Sequence, residues 1–111
     1  SQEMISNKWG RIVNIGSSGA YNGKEKTSIY RSSKHALLGL SRSLHAELKE
    51  FNVRTFCVSP GSIKTPMGKL VVDQNYETFL NPKEIAEFIT KIISFNNEMI
   101  SEEIRINRIN Q

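Results

Sequence analysis

The order of hydrophobic patterns along the chain constrains its fold more than any other feature. Short β-branched runs at 11–15 and 53–58 and an alternating segment at 103–106 are each typical of a β-strand. Apolar residues recur every three or four positions at about 27–49 and again from 82 to about 95, which predicts two amphipathic helices. The order strand, helix, strand, helix, strand favours an α/β layer of parallel strands joined by right-handed crossovers.

The residues at the ends of these segments agree with that order. Gly16 to Gly19 close the first strand, Ser59 to Gly61 close the second, and Asn81 followed by Pro82 is typical of a helix N-cap with proline at the first helical position. Ile109 is a candidate extension of the last strand. The predicted apolar stripe of the first helix comprises Leu37, Leu40, Leu44 and Leu48, and that of the second comprises Ile85, Phe88, Ile89 and Ile92.

Size and composition place the chain among ordinary globular proteins. Its 111 residues suffice for one small domain or for part of a larger one, and 38% are hydrophobic and 23% charged. The net charge is +4, and the basic residues are scattered along the chain and mixed with acidic ones. This pattern favours solvated faces over a nucleic-acid surface. No apolar run reaches the roughly 18 residues of a membrane span, and the opening segment is too polar for a signal peptide. We therefore expect a cytoplasmic protein that binds neither nucleic acid nor membrane.

The single cysteine and the two histidines carry no sign of a special site. Cys57 lies between Phe56 and Val58 and is expected to be a small buried apolar residue. His35 and His45 have no cysteine or aspartate at ligand spacing, so we expect helix-surface or interface histidines and no metal site.

Three residues form a constellation with chemical meaning: Ser17, Tyr30 and Lys34. A tyrosine has an ordinary pKa near 10 and needs a nearby cation before it can exchange a proton at neutral pH. Lys34 follows Tyr30 by four residues on one helix face, and helical side chains lean toward the N-terminus, so Lys34 would lean toward Tyr30. Ser17, in the loop after a strand, would hold a carbonyl oxygen where the phenol donates its proton. Such a set suits reduction of a carbonyl or oxidation of an alcohol by a hydride-carrying cofactor.

The tyrosine and lysine spacing alone is weak, because many helices place a tyrosine at the core edge and a lysine in water. The surrounding motifs are far more specific. They are GRIVNIGSSG from Gly10, YRSSK from Tyr30 and VSPGSIKTPM from Val58. In this order and spacing, the chain resembles the C-terminal half of short-chain dehydrogenases/reductases over nearly its whole length.

The resemblance implies part of a Rossmann-type, doubly wound parallel sheet and an NAD(P)-dependent oxidoreductase, with the choice between NAD and NADP left open. Tyr30 would be the general acid/base, and Lys34 would lower its pKa and hold the nicotinamide ribose. Both residues would also belong to the cofactor-binding set. Ser17 would orient the substrate, while its neighbour Ser18 is an alternative whose simpler role is to cap the loop. Four further residues would contact the nicotinamide end of the cofactor: Pro60 and Gly61 as the turn, Ile63 through its backbone, and Thr65 through its hydroxyl.

The segment at 66–80 corresponds to the family's substrate loop. Its apolar side chains either line a substrate pocket or pack the loop against the fold, and the sequence does not decide between the two. These side chains are Met67, Leu70, Val71, Tyr76 and Phe79.

The chain departs from the family pattern in what it lacks. It contains no glycine-rich phosphate-binding segment between a strand and a helix, and residues 103–111 contain no glycine where family members commonly have a glycine-containing turn. We therefore expect 1–111 to be one partial domain of a longer enzyme. The alternative is a catalytically inactive fragment that acts as an interaction partner. Because the family often dimerises through the helix with the tyrosine and lysine, a homo-oligomer is expected, with candidate partner-facing residues His35, Leu38, Arg42 and His45.

Overall fold

The computed structural model describes residues 2–16, 28–65 and 75–110, with residues 28–31 described by their backbone alone. Three strands and three α-helices alternate along these residues: α1 Gln2–Asn7, β1 Gly10–Ile15, α2 Ser28–Leu48, β2 Val53–Pro60, α3 Pro82–Ile93 and β3 Glu103–Ile106. Two 3-10 turns lie at Lys49–Phe51 and Tyr76–Thr78. The strands pair in the order β1-β2-β3 and are all parallel, which confirms the predicted α/β class.

The central strand β2 runs two residues further than its sequence pattern predicted, because Pro60 continues it. Proline has no backbone N–H, but the hydrogen bonds between β2 and β3 do not require a donor at Pro60. The neighbouring Gly61 N–H donates to Ile106 O at 2.8 Å instead. From Thr55 to Pro60 every residue of β2 is buried, as expected for a parallel strand covered on both faces.

The α3 side of the sheet holds the larger apolar cluster. Phe56, Val58 and Ile104 are buried there, and the half-buried side chains packed on them include Ile89, Ile92 and Ile93 of α3. The prediction for α3 was right about its start, since the Asn81 side chain accepts from Lys83 N at 2.9 Å. It was wrong about Phe88, which is 45% exposed because it points away from the sheet.

The sheet-facing side of α2 differs from the predicted leucine stripe. Leu38 and Ser41 are buried against the sheet, whereas Leu37 and Leu44 are half-buried and Leu40 is 53% exposed. The predicted stripe therefore lies on the flank of the helix and not on its sheet-facing side. Small or polar residues occupy much of the sheet-facing side, which is why hydrophobic spacing alone selected the wrong face.

The short helix α1 was absent from the sequence-based prediction. It ends in a Schellman-type turn, in which Lys8 has a left-handed φ of 51° and Trp9 N donates to Met4 O at 3.2 Å. Glycine usually occupies that position, so a lysine there gives no stop signal. The predicted extension of β3 is also wrong, because Ile109 is 97% exposed.

Arg11 ties the end of α3 to the first strand. Its guanidinium donates to Ile93 O and Phe95 O, both at 2.9 Å, and lies 4.5 Å from the Trp9 ring centroid. Burial, with the neighbouring charge of Arg54, lowers the pKa of Arg11 below its ordinary value. A cation at the carbonyl end of a helix is favourable, so Arg11 fixes where α3 ends. No helix in the described part of the chain is long and apolar enough to cross a membrane.

Candidate active site

The candidate site lies at the carboxyl ends of β1 and β2, where open parallel sheets bind their ligands. The two strands end side by side, with Ile15 opposite Val58 and Gly16 N donating to Val58 O at 2.7 Å. A Cβ placed on Gly16 would come within 2.8 Å of Ser59 Oγ and 3.3 Å of Cys57 Sγ. The strand ends approach so closely here that only glycine fits without a shift.

Ser17 follows Gly16 directly and lies outside the described residues. Its predicted role as the substrate-orienting hydroxyl therefore remains a prediction. The position of Gly16 shows where the chain leaves the sheet, at the level of Ser59 on the α2 side of the strand ends.

The register between α2 and β2 is set by the contact of Leu38 with Cys57. The helix runs antiparallel to the strand, because His45 lies beside Thr55, whose N is 3.5 Å from His45 Nδ1. One turn from Leu38 toward the helix N-terminus is about 6 Å, and two strand residues beyond Cys57 span about 6.6 Å. Lys34 therefore lies about level with Ser59, at the carboxyl end of the sheet.

Tyr30 lies one further turn toward the N-terminus, on the same face of α2 as Lys34. Its backbone is about 12 Å from the level of Leu38, which matches the roughly 13 Å from Cys57 to Gly61. The side chain of Tyr30 lies outside the described part of the structure. The helix thus brings the backbone of Tyr30 to the turn after β2, and Lys34 lies between that position and the sheet's core.

The pKa of the Cys57 thiol depends on the charged groups around this part of the helix. Burial raises the pKa of Cys57, and the negative charge of Glu103 adds to that increase, whereas the Ser59 hydrogen bond and the positive charges of Arg42 and Lys34 oppose it. Cys57 is 1% exposed, which confirms the expectation of a buried small residue. That the charge of Lys34 is felt at Cys57 agrees with the helix register.

The turn after β2 brings together the other four predicted residues. Pro60 is buried as the last residue of the strand, and Gly61 is bonded to β3. Ile63 forms a parallel bridge with Leu80, and Thr65 follows it as a half-buried residue. Lys34, Pro60, Gly61, Ile63 and Thr65 thus lie along one edge of the fold.

The Ile63 bridge leaves a pair of backbone groups facing away from Leu80. Its hydrogen bonds are made by the flanking residues, with Leu80 N donating to Ser62 O and Lys64 N donating to Leu80 O, both at 2.8 Å. Backbone groups alternate in direction along an extended segment, so the N–H and C=O of Ile63 itself point to the opposite side. One donor and one acceptor side by side are the complement of a primary carboxamide.

The predicted apolar loop is only partly described. Met67, Leu70 and Val71 lie outside the described residues, whereas Tyr76 and Phe79 are placed. Phe79 is 5% exposed, and its ring centroid lies 5.2 Å from that of Tyr76 at an interplanar angle of 50°. Phe79 therefore packs the loop against the fold, which decides between the two alternatives for this residue.

The four candidate partner-facing residues of α2 differ in their contacts and exposure. Leu38 is buried against Cys57, and the Arg42 guanidinium forms two bonds to the Glu103 carboxylate at 2.7 and 2.8 Å, so both serve contacts within the chain. His45 is half-buried beside Thr55. His35 is exposed, and among the α2 side chains that the structure describes the large exposed apolar one is Leu40 rather than Leu38.

Three residues with close contacts at or beside the site were not predicted from sequence: Gly16, Leu80 and Arg108. A glycine between a strand and a candidate catalytic serine is a usable signal for close backbone approach. Leu80 and Arg108 give no such signal, since both act through contacts with residues distant in sequence.

Comparison with known proteins identifies the class of protein that this fold and site define. The family model described as short chain dehydrogenase matches residues 1–75. The chain therefore belongs to the short-chain dehydrogenase family.

Individual relatives extend the match over nearly the whole chain. The 3-oxoacyl-acyl-carrier-protein reductase of Aquifex aeolicus is 32% identical over 112 residues, which cover 93% of this chain and 45% of that protein. The β-ketoacyl-acyl-carrier-protein reductase structure from Bacteroides thetaiotaomicron has a TM-score of 0.79 and 27% identity, covering 97% of this chain and 45% of the other. A 4-hydroxyisoleucine dehydrogenase complexed with NADH has a TM-score of 0.78 and 30% identity, covering 96% and 49%. The chain thus spans slightly less than half the length of these relatives.

Proposed function

We propose that this chain is the catalytic half of an NAD(P)-dependent oxidoreductase that transfers hydride between a nicotinamide cofactor and a carbonyl or secondary alcohol. The observation that carries the proposal is the arrangement at the carboxyl end of the sheet, where Lys34 lies level with Ser59 and the Ile63 N–H and C=O face away from Leu80. Family membership and the NADH-bound relative support it. NAD and NADP both remain candidates.

In the proposed mechanism, Tyr30 donates its hydroxyl proton to the carbonyl oxygen as the carbonyl is reduced, and takes it back in the reverse direction. The Lys34 ammonium stabilises the resulting phenolate and binds the nicotinamide ribose, because a nearby cation favours the charged form of the phenol. Ser17 donates a hydrogen bond to the same oxygen and holds it in place.

The residues after β2 fit the nicotinamide end of the cofactor. The Ile63 N–H would donate to the carboxamide oxygen, and the Ile63 C=O would accept from the carboxamide nitrogen. Thr65 contributes its hydroxyl at the same end, and Pro60 and Gly61 shape the turn. When bound, the nicotinamide ring supplies or accepts the hydride.

The domain itself is proposed to be half of a longer Rossmann-type sheet. Within the described residues, β1 pairs with a strand on one side only, and Ile15 at its end is 50% exposed. Parallel sheets are normally covered on both faces and their edges are shielded, and further strands beside β1 would shield its exposed edge and complete the sheet. Those strands would supply the phosphate-binding turn that the chain lacks.

The test is reduction of carbonyls by the full-length protein that contains this chain. NADH and NADPH oxidation is followed with a panel of aldehydes, ketones and 3-oxoacyl thioesters, the last chosen because of the relatives. We expect cofactor oxidation with at least one carbonyl and formation of the matching alcohol. Binding of neither NADH nor NADPH, together with no oxidation of either by any member of the panel, would contradict the proposal.

The flank of α2 supports a second proposal, that the protein forms a homo-oligomer through this helix. Leu40 is 53% exposed, and Leu37 and Leu44 beside it are half-buried, so the helix presents an apolar flank. Sedimentation of the full-length protein should show an oligomer that Leu40→Glu dissociates. A non-enzymatic interaction fragment would use the same flank, and would differ by showing association without cofactor oxidation.

A further inference from the structure

Arg108 connects the C-terminal segment to the end of the candidate substrate loop. It follows β3 by two residues and is half-buried, whereas its neighbours Asn107 and Ile109 are exposed. Its Nη1 donates to Thr78 Oγ1 at 2.7 Å, and its guanidinium carbon lies 5.1 Å from the Phe79 ring centroid. The side chain thus makes a polar and a cation-π contact with two consecutive residues of the turn.

The turn that Arg108 contacts is well organised by its own hydrogen bonds. Asn75 Oδ1 accepts from Glu77 N at 3.1 Å, and Asn75 O accepts from Thr78 N at 3.0 Å and from Thr78 Oγ1 at 2.7 Å. The Thr78 hydroxyl gives its one proton to Asn75 O, which leaves its lone pairs to accept from Arg108. Because the donor and acceptor directions agree, the guanidinium holds the turn in one orientation.

The turn leads directly into the bridge that orients Ile63. Phe79 is buried, and Leu80 after it exchanges two hydrogen bonds with Ser62 and Lys64. On the other side, Gly61 N donates to Ile106 O. The C-terminal segment therefore contacts the turn after β2 at Gly61 through the backbone, and contacts Thr78 and Phe79, the residues just before Leu80, through Arg108.

We propose that Arg108 is a positioning residue for the nicotinamide end of the site. By fixing Thr78 and Phe79 it fixes Leu80, and the Leu80 bridge directs the N–H and C=O of Ile63 toward the cofactor side. The proposal has two halves. The structural half, that Arg108 holds the Leu80 bridge in place, does not depend on the proposed function. The functional half, that this bridge directs Ile63 toward the cofactor, rests on it.

Amide hydrogen exchange of the full-length protein without cofactor tests the structural half. Arg108→Ala is expected to speed exchange of the Leu80 and Lys64 amides on the order of 10-fold, because the turn loses a charge-assisted hydrogen bond. The buried amides of Phe56 and Val58 serve as an internal reference and should not change. Lys83→Ala, which removes an exposed cation close to the same loop, is the matched control and should change none of these amides. Unchanged exchange at Leu80 and Lys64, or equal acceleration at Phe56 and Val58, would overturn the proposal.

Cofactor binding tests the functional half. Arg108→Ala should weaken NADH or NADPH binding on the order of 5- to 10-fold, and leave unchanged the binding of the fragment without nicotinamide, ADP-ribose or its 2′-phosphate. Arg108→Lys keeps the charge without the planar fork and should recover only part of the affinity. Equal loss for both ligands, or no loss for either, would overturn the positioning role. A wild-type protein that binds neither nucleotide yet shows the exchange response would contradict the proposed function and support anchoring by Arg108.

Discussion

Leu38 of α2 packs against Cys57 of β2, and this contact sets how far the helix reaches along the strand. Each helical turn from Leu38 toward the N-terminus moves about as far as two residues of the strand. Lys34 and Tyr30 are therefore carried to the carboxyl end of the sheet, beside the turn that contains Gly61 and Ile63. The site is assembled by the packing of one helix on one strand.

Replacing Lys34 tests the double role proposed for its ammonium group. In the full-length protein, Lys34→Ala should lower kcat and weaken NAD(P)H binding together, and shift the remaining activity to higher pH, since the phenol of Tyr30 loses the cation that lowers its pKa. Steady-state pH profiles and fluorescence titration measure the two effects. Lys49→Ala, which removes an exposed cation beyond the other end of α2, is the control. A Lys34→Ala variant with the pH profile and cofactor affinity of the wild type would exclude the role.

Alanine substitutions at Gly16 and Gly39 test the close approach of the strand ends, because a Cβ is crowded at Gly16 and has open space at Gly39. Gly16→Ala should destabilise the protein by about 1–3 kcal/mol, since overpacking forces a shift of Ser59 and Cys57. Gly39→Ala should stabilise it by about 0.5–1 kcal/mol, because a Cβ there meets nothing within 4 Å and alanine favours the helix. Chemical denaturation gives both values. Adding Ser59→Ala should return part of the stability lost in Gly16→Ala, and a fully additive double variant would argue against this contact.

The raised pKa of Cys57 predicts a loss of stability at alkaline pH. The buried thiol keeps its proton in the folded state, while the unfolded thiol ionises near its ordinary pKa of 9.0. Above that pH the unfolded state binds fewer protons than the folded state, so this contribution is complete below about pH 9 and is lost as pH rises further. Denaturation from pH 7 to 10.5 should show a steeper decline for the wild type than for Cys57→Ala. Parallel declines would show that Cys57 is not the group responsible.

Much of the fold was accessible from sequence because local patterns specified it. The start of α3 followed from Asn81 and Pro82, and β3 has the predicted bounds because Glu103 to Ile106 alternate in hydrophobicity. The buried side of α2 was not accessible, since Ser41 is buried and Lys34 half-buried while Leu40 is exposed, and hydrophobic spacing favours the leucines. The helix α1 was missed because a lysine occupies its left-handed terminal position.

The residues of the candidate site likewise divide into those that the sequence predicts and those that it does not. Tyr30, Lys34 and the Pro60-Gly61 turn are recognisable because their roles depend on short spacings within one segment. The Ile63–Leu80 bridge and the Arg108–Thr78 hydrogen bond join positions 17 and 30 residues apart, so no local pattern records them. Contacts of this kind depend on the packed fold rather than on the motif.

The isolated chain should be unable to act alone. Residues 1–111 lack the turn that binds the cofactor's pyrophosphate, which supplies much of the binding free energy in this class of fold. We expect no measurable turnover and no useful NAD(P)H affinity, together with poor solubility or association through the edge of β1. Calorimetry and light scattering on the purified chain measure both properties. Micromolar NAD(P)H binding by a soluble monomer would show that 1–111 is self-sufficient.

The most direct test of the account is the kcat of Tyr30→Phe in the full-length protein, measured with the carbonyl substrate found by the panel. Phenylalanine keeps the ring and loses the hydroxyl with its transferable proton, so kcat should fall by about 10²- to 10⁴-fold while the Kd for NAD(P)H stays within about twofold of the wild type. Tyr76→Phe, which removes the hydroxyl of a tyrosine whose ring is tilted against that of Phe79, is the control and should keep most of its kcat. A Tyr30→Phe variant that keeps most of its kcat would contradict the assignment of Tyr30 as the acid/base and the site built around it.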